Sequence, residues 1–385
     1  MTTAVLNVIT GLNIGGAEIM LARYLSNLGR EVYAPKVLSL LAPGPVARQI
    51  EAAGAEVYTF GLRRAGLPAL RASALAQAFG PCDLVHGWMY HGNLVATAIA
   101  AVKSAPAIWS IHHSLHDLAN EKPLTAALIR ISARLSSRTH AISYCSRVSA
   151  DQHEAHRFDP GKRVVIPNGI DCSRFKPDPA ARKRLLDLTG IPGNRFLAAN
   201  VARYHPMKDQ VRLVEAIALL RREGVDVHAV LIGNGHEQGD VERKARELGV
   251  DPYVTVLPAR DDIADLLPAF DVFALTSAWG EAFSIALTEA MASGVPGVAT
   301  DVGDSAWIIH DPQRIARPGD AASIAVAIGR LASQSPEARR EIGLRDRRRV
   351  IENFSLADYT RKHTQLYESA LAGAPRTNAN LQQRS

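Results

Sequence analysis

Cysteine is scarce in this chain. Cys82, Cys145 and Cys172 are the three among 385 residues, and no two stand in a CxxC spacing. An odd number without paired spacing argues against a disulfide framework or a zinc site and fits a reducing compartment, so a cytoplasmic protein is expected. The first ten residues lack a basic n-region and a small-residue cleavage site after a long apolar core, so no secretory signal is read there. Long apolar runs are also missing. The nearest approach, residues 84–102, carries no Lys, Arg, Asp or Glu, yet His86, Gly87, His91, Gly92 and Asn93 interrupt it. It reads as strand, loop and buried helix rather than a membrane span. Nor is there a large excess of one charge. A net charge of +6 suits anionic ligands or an anionic membrane surface, but nothing in its distribution singles out nucleic acid.

What the chain does have is regular alternation. Its length suggests two domains, each able to bury a core, and 47% hydrophobic with 21% charged residues is ordinary for α/β proteins. Short apolar runs at 5–10, 37–41, 56–60, 83–87, 107–111 and 164–167 are separated by helical patterns. A second set follows at 196–202, 228–233, 254–258, 272–276 and 295–299. Such alternation predicts mostly parallel sheets covered on both faces, with ligands at the carboxyl ends of strands. Between the sets, Lys176-Pro177-Asp178-Pro179 reads as a linker, so the expected domains are 1–178 and 179–352. A last helix, 353–374, and a polar, disordered tail, 375–385, are expected to follow.

The stretch Trp279-Gly280-Glu281-Ala282-Phe283-Ser284-Ile285-Ala286-Leu287-Thr288-Glu289-Ala290-Met291 lies between two apolar runs and predicts a strand–loop–helix–strand unit. Its periodicity, counted from Phe283, places Glu281 just before the helix and Glu289 two turns inside it. A nucleotide diphosphate at that helix start would meet free N–H groups and the positive end of the dipole. Glu289 would then be free to accept from ribose hydroxyls. Equally, Glu281 could be a first-turn dipole partner and Glu289 a solvated residue.

Other strand ends carry polar residues. Gly15-Gly16 follows the first strand without the G-x-G-x-x-G spacing; it lets the backbone approach a phosphate or acceptor, or merely makes a tight turn. His112-His113 ends the run at 107–111 and suits a site as well as a structural loop. Arg203 and Lys208 follow the run at 196–202, where a guanidinium fork and a compact ammonium suit an anion; surface charge is the plainer reading. Arg130, Arg134 and Arg138 recur at i, i+4, i+8 beside apolar residues. They form either a solvated helix face or a docking surface for anionic lipid headgroups.

Taken in order, Gly15-Gly16-Ala17-Glu18, Ile166-Pro167-Asn168-Gly169-Ile170-Asp171, Arg203 with Lys208, Ile232-Gly233-Asn234-Gly235 and Glu281-x7-Glu289 before Ala290-Met291-Ala292-Ser293-Gly294-Val295-Pro296 make a set. That set resembles the retaining glycosyltransferases of family four (glycosyl transferases group one). The resemblance runs from about residue 5 to 370 and implies the GT-B fold, two Rossmann-like doubly wound domains facing a cleft. It implies that Arg203 and Lys208 bind the nucleotide-sugar diphosphate and stabilise it as a leaving group, Glu289 binds ribose, and Glu281 contacts the donor sugar. Phe283 and Ser284 would supply N–H groups, Gly15-Gly16 the close-approach loop, and Gly233 and Asn234 part of the donor pocket. His113, with His112 as the lesser candidate, would sit beside the sugar, and Arg260 would contact the base.

No metal or other cofactor is implied, because the two cations neutralise the leaving group. The partners implied are a nucleotide-sugar donor, a glycan or lipid-linked acceptor in cell-surface polysaccharide synthesis, and peripheral contact with the inner face of the plasma membrane. The final helix would pack back on the N-terminal domain. Where many relatives read Glu-Gly-Phe-Gly or Glu-Gly-Phe-Pro, this chain has Glu281-Ala282-Phe283-Ser284, and Gly303-Asp304-Ser305-Ala306-Trp307 also departs from the family pattern. Both departures bear on which sugar is bound. The competing readings are a non-hydrolysing nucleotide-sugar epimerase of the same fold and a non-catalytic nucleotide- or glycan-binding protein.

Overall fold

The computed structural model describes residues 2–61, 77, 79–236 and 239–373; the expected tail at 375–385 lies outside them. The chain forms two compact units. One takes the chain up to Gly169 and again from Leu356, and the other is Ile170–Ser355. The Lys176–Pro179 stretch therefore falls inside the second unit, where Gly294 packs its backbone against Pro177.

In the first unit β1 (Thr3–Ile9), β2 (Tyr33–Ser39), β3 (Glu56–Thr59), β4 (Leu84–Trp88), β5 (Ala107–Ile111), β6 (Ala141–Tyr144) and β7 (Arg163–Val165) form one sheet. Its order is β3-β2-β1-β4-β5-β6-β7, and every pairing is parallel. β4, β5 and β6 are buried along their whole length, as strands covered on both faces must be. The Met89–Lys103 helix crosses this sheet so closely that a Cβ on Gly92 would lie 2.3 Å from the Val8 carbonyl oxygen. Residues 84–102 are thus a strand and a packed helix, and no helix among the described residues is long and apolar enough to cross a membrane. The Leu356–Leu371 helix closes the unit, burying Tyr359, His363 and Tyr367 around Tyr24.

The second unit holds β8 (Phe196–Val201), β9 (Val227–Ile232), β10 (Val254–Leu257), β11 (Val272–Leu275), β12 (Gly297–Thr300) and β13 (Ile315–Ala316). Their order is β10-β9-β8-β11-β12-β13, again parallel throughout. β13 was not expected, because two residues are too few to show a period. A tertiary contact holds it in place. Arg314, just before it, is buried and donates to both oxygens of Asp346 (2.5 and 2.9 Å), while Asp346 also accepts from the N–H of Gly297 at the start of β12 (3.3 Å).

In each sheet the strand order reverses once, between β1 and β4 and between β8 and β11. That is where open α/β sheets leave a crevice at the carboxyl ends of their strands. In the second unit the crevice is bordered by the Ile285–Ala292 helix, which follows β11. Its position depends on Gly343 in the Pro336–Phe354 helix, where a Cβ would stand 1.9 Å from the Gly294 carbonyl oxygen. The obstacle is backbone, so no side chain can swing away to relieve it. Gly343→Ala gains about 1 kcal/mol of helix propensity but forces the helices apart, an overpacking cost of about 1–3 kcal/mol. A lowered melting temperature is expected, and an unchanged or raised one in a thermal unfolding series would refute this packing argument.

Candidate active site

The second unit's switch point gathers most of the polar residues anticipated from sequence. β8 delivers the chain to Arg203, which is exposed, and the loop turns through a short 3-10 segment, Pro206–Lys208. His205 caps that segment by accepting from the Met207 N–H at Nδ1 (3.1 Å). Its imidazole pKa is lowered by burial first and then by the positive charges of Arg203 and Lys208, which marks this loop as a region of positive potential. Gln210 fixes the loop from behind, donating to the Arg203 carbonyl (2.9 Å).

β11 delivers the facing loop. Glu281 is 7% exposed, and its Oε1 accepts from both the Lys208 ammonium and the Ser277 hydroxyl (2.7 Å for the latter). The Lys208 main chain is held by the same loop, its carbonyl accepting from Thr276 Oγ1 (2.9 Å), and the Ala278 N–H donates to the Met207 carbonyl (2.8 Å). Gly280 has φ +76, and a Cβ there would meet Met207 Sδ at 2.4 Å, so this turn admits glycine on both counts. Thr300 braces the arrangement from β12 by donating to the Ser277 carbonyl (2.6 Å). A half-buried cation and a buried carboxylate so hydrogen-bonded satisfy each other and hold two loops at one distance.

Gly233 and Asn234 join this group through the main chain. The Tyr204 N–H donates to the Asn234 carbonyl (2.7 Å), and a Cβ on Gly233 would lie 2.0 Å from the Ala202 carbonyl oxygen. Ser284 is the N-cap of the Ile285–Ala292 helix, its Oγ accepting from the Leu287 N–H (3.4 Å). The helix is shorter than expected. Phe283 precedes it and is buried, its ring 5.3 Å from Phe354 and 6.5 Å from Trp307, so the hydrophobic period that included Phe283 belongs to the loop's anchor. Glu289 therefore lies in the second turn and is half-buried, closer to the helix start than two full turns. The two loops that depart from the family pattern touch one another: the Asp304 N–H donates to the Ala282 carbonyl (3.0 Å), and a Cβ on Gly303 would stand 2.4 Å from the Glu281 carbonyl oxygen. Arg260 is not joined to this network by any hydrogen bond among the described residues; Asp262 holds its guanidinium bidentately (2.7 Å twice).

The first unit carries the remaining candidates. Gly15 caps the Gly16–Asn27 helix with extended backbone, and the space where a Gly16 side chain would stand is open. His113 pairs with Glu121 (Nε2 to Oε1, 2.8 Å). His112 stacks on buried Trp88 at 5.5 Å with rings 11° apart, and its Nδ1 meets Asn168 Oδ1 at 3.0 Å. Burial lowers its pKa to about 4, opposed by that bond, so its imidazole is neutral at pH 7. Nδ1 must then be the protonated nitrogen, because Asn168 Oδ1 only accepts, and Nε2 keeps its lone pair.

Ser277, Thr276, Thr300 and Gln210 escaped the sequence reading, and Asn168 entered it only as part of a motif. Single hydroxyls and amides on apolar strands are common, and only the fold shows what they hold. Among the described residues no group of three or more His, Cys, Asp or Glu side chains is arranged to bind a metal.

Comparison with known proteins bears on the same residues. The profile of glycosyltransferase family 4 matches residues 14–174, and that of glycosyl transferases group 1 matches 182–349. The putative glycosyltransferase EpsF of Bacillus subtilis is 34% identical over 137 residues, which span 36% of this chain and 35% of EpsF. The D-inositol 3-phosphate glycosyltransferase of Nocardia farcinica is 30% identical over 340 residues, covering 79% of this chain and 71% of that one. Among solved structures, HepE from Anabaena in complex with UDP superposes with a TM-score of 0.84 at 20% identity, covering 96% of this chain and all (100%) of that one. A further HepE structure contains UDP-glucose. Two parallel-sheet units with a charged strand-end site in the second, a GT-B neighbour along nearly the whole chain and a 30%-identical relative along most of it lead to one conclusion: the chain belongs to the glycosyl transferases group 1 family of GT-B glycosyltransferases.

Proposed function

We propose that this protein transfers a hexosyl group, with retention and without a metal ion, from a nucleotide-diphosphate sugar to a glycan or lipid-linked acceptor in cell-surface polysaccharide synthesis at the cytoplasmic face of the membrane. The observation that carries the reading is the Lys208–Glu281 pair beside Arg203 at the carboxyl ends of β8 and β11. HepE binding UDP and UDP-glucose supports a nucleotide-diphosphate donor class.

Breaking a glycosyl–phosphate bond builds negative charge on the departing diphosphate and positive charge at the anomeric carbon. Arg203 and Lys208 meet the first, with the N-terminal end of the Ile285–Ala292 helix adding N–H donors and a favourable dipole. As the phosphates draw Lys208, Glu281 is released from its ammonium partner to accept from donor-sugar hydroxyls, still oriented by Ser277. Glu289, in the second turn, takes the ribose. The departing phosphate accepts the acceptor's proton, so no carboxylate nucleophile is required. His113, held at Nε2 by Glu121, and His112, neutral and held at Nδ1 by Asn168, each keep a second ring nitrogen to meet a sugar hydroxyl.

Arg203→Ala and Lys208→Ala each remove a contact that strengthens in the transition state, and kcat is expected to fall by at least about tenfold with the fold retained by circular dichroism. Wild-type turnover in either folded variant overturns the assignment. Activity is expected to persist in excess EDTA, and loss restored by magnesium or manganese would contradict the metal-free reading. The two glutamates separate by calorimetry. Glu289→Ala weakens binding of the free nucleoside diphosphate, whereas Glu281→Gln, which keeps an oxygen to accept from Lys208 and Ser277, leaves that binding nearly unchanged and reduces nucleotide-sugar turnover. The reverse pattern would exchange or refute the two roles.

A further inference from the structure

The basic stripe anticipated at Arg130, Arg134 and Arg138 is broken by the fold. The helix is Pro123–Leu135, and Arg138 lies beyond it in a 3-10 turn, Ser136–Arg138. Arg130 and Arg134 instead join residues from the end of another helix. They line a cavity of about 320 Å³ with His156 and Arg157, floored by apolar side chains including Ile129 and Ala133. All of these residues belong to the first unit.

Arg130, Arg134 and Arg157 are exposed, and three features set the cavity they line apart. Its lining holds three arginines and a histidine but no carboxylate. Of the acids nearby in sequence, Asp151 and Oε2 of Glu154 accept from Arg163 (2.6 and 3.2 Å), and Asp159 accepts from the Gly161 N–H (2.9 Å). Among the described residues Arg130, Arg134 and Arg157 make no ion pair, so their charge is not already neutralised by a carboxylate as that of Arg163 is. Finally, Arg157 follows the Arg147–Ala155 helix with φ +71, in the left-handed turn that closes it through the Phe158 N–H to the His153 carbonyl (3.1 Å). Glycine is the favoured residue at such a C′ position, and an arginine is held there against its backbone preference.

We propose that this cavity is a binding site for a phosphate-class oxyanion, distinct from the donor site in the second unit and independent of how that site is read. Convergent guanidinium groups match phosphate oxygens bidentately, and a volume at the small end of ligand sites accommodates one phosphate ester headgroup. Such a group reaches the cavity either as a soluble phosphate ester or as the headgroup of an anionic lipid. Leu124 and Ile131, exposed on the same helix, would rest against the lipid in the second case.

The test uses the full chain. Arginine Nε–Hε resonances are followed by NMR during titration with inorganic phosphate at constant ionic strength, with Arg130, Arg134 and Arg157 assigned from their Lys variants. Saturable shifts of all three are expected, weakened about tenfold in an Arg130→Glu/Arg134→Glu double variant and unaltered by Arg203→Ala. Shifts that never saturate, or that chloride reproduces, overturn the proposal. A second arm measures sedimentation with vesicles of phosphatidic acid in phosphatidylcholine against phosphatidylcholine alone. Saturable phosphate shifts with capture only by the anionic vesicles, lost in the double variant, identify a lipid headgroup. Saturable shifts without capture identify a soluble phosphate ester.

Discussion

The pairing of Lys208 with Glu281 is the constraint on which the second unit's site depends. It joins the loop after β8 to the loop after β11 across the point where the sheet order reverses. Both partners are largely buried, so each would carry a desolvation penalty if left alone, and together with Ser277 they satisfy one another. The main chain repeats the link through Thr276 to Lys208 and Ala278 to Met207. The loops after β8 and β11 are in this way held in one geometry with their cation and carboxylate paired, and preorganised charge is the condition under which electrostatic stabilisation is most effective.

The first unit solves a related problem with neutral groups. Beneath His112 lies Trp88, whose indole N–H donates to Asn7 (3.1 Å), and beside it His86 bridges Ser110 and Tyr367 (2.8 Å each). Burial keeps the His86 and His363 pKa values low, so this polar core holds its shape through hydrogen bonds and ring packing rather than charge. Tyr367 and His363 come from the last helix of the chain, so the C-terminal segment completes the support under a loop reached some 250 residues earlier in the sequence, as the spans of the bonds to His86 (|i−j| 281) and Ser143 (|i−j| 220) show.

Much of this was legible in the sequence because parallel sheets are written in runs. Each fully buried strand is a short apolar stretch bounded by turn residues, and strands such as Ala107–Ile111 were placed to the residue. Strand-end polar residues were legible for the same reason, since the end of an apolar run is visible and the fold rules say ligands gather there. The order of motifs added the family. The reading failed where local pattern and tertiary need diverge. Phe283 kept helical spacing while serving as an anchor outside the helix, the two residues of β13 carried no period, and the Arg130–Arg134–Arg138 repeat assumed a helix that ends at Leu135.

The sequence by itself determined two alternating α/β sets and the charged residues at and near their strand ends, Arg203, Lys208, Glu281 and Glu289. Those follow from burial and charge, which single residues and short periods express. Tertiary structure alone decided which cation meets which carboxylate, that Asn168 meets His112 and Glu121 meets His113, that Asp262 occupies Arg260, and that Arg157 rather than Arg138 completes the basic cavity of the first unit. Some of these join segments far apart in the chain, and others, such as Arg260 with Asp262, depend on how a local turn aims its side chains. Its energy depends on distance and direction in space, which a linear pattern does not encode.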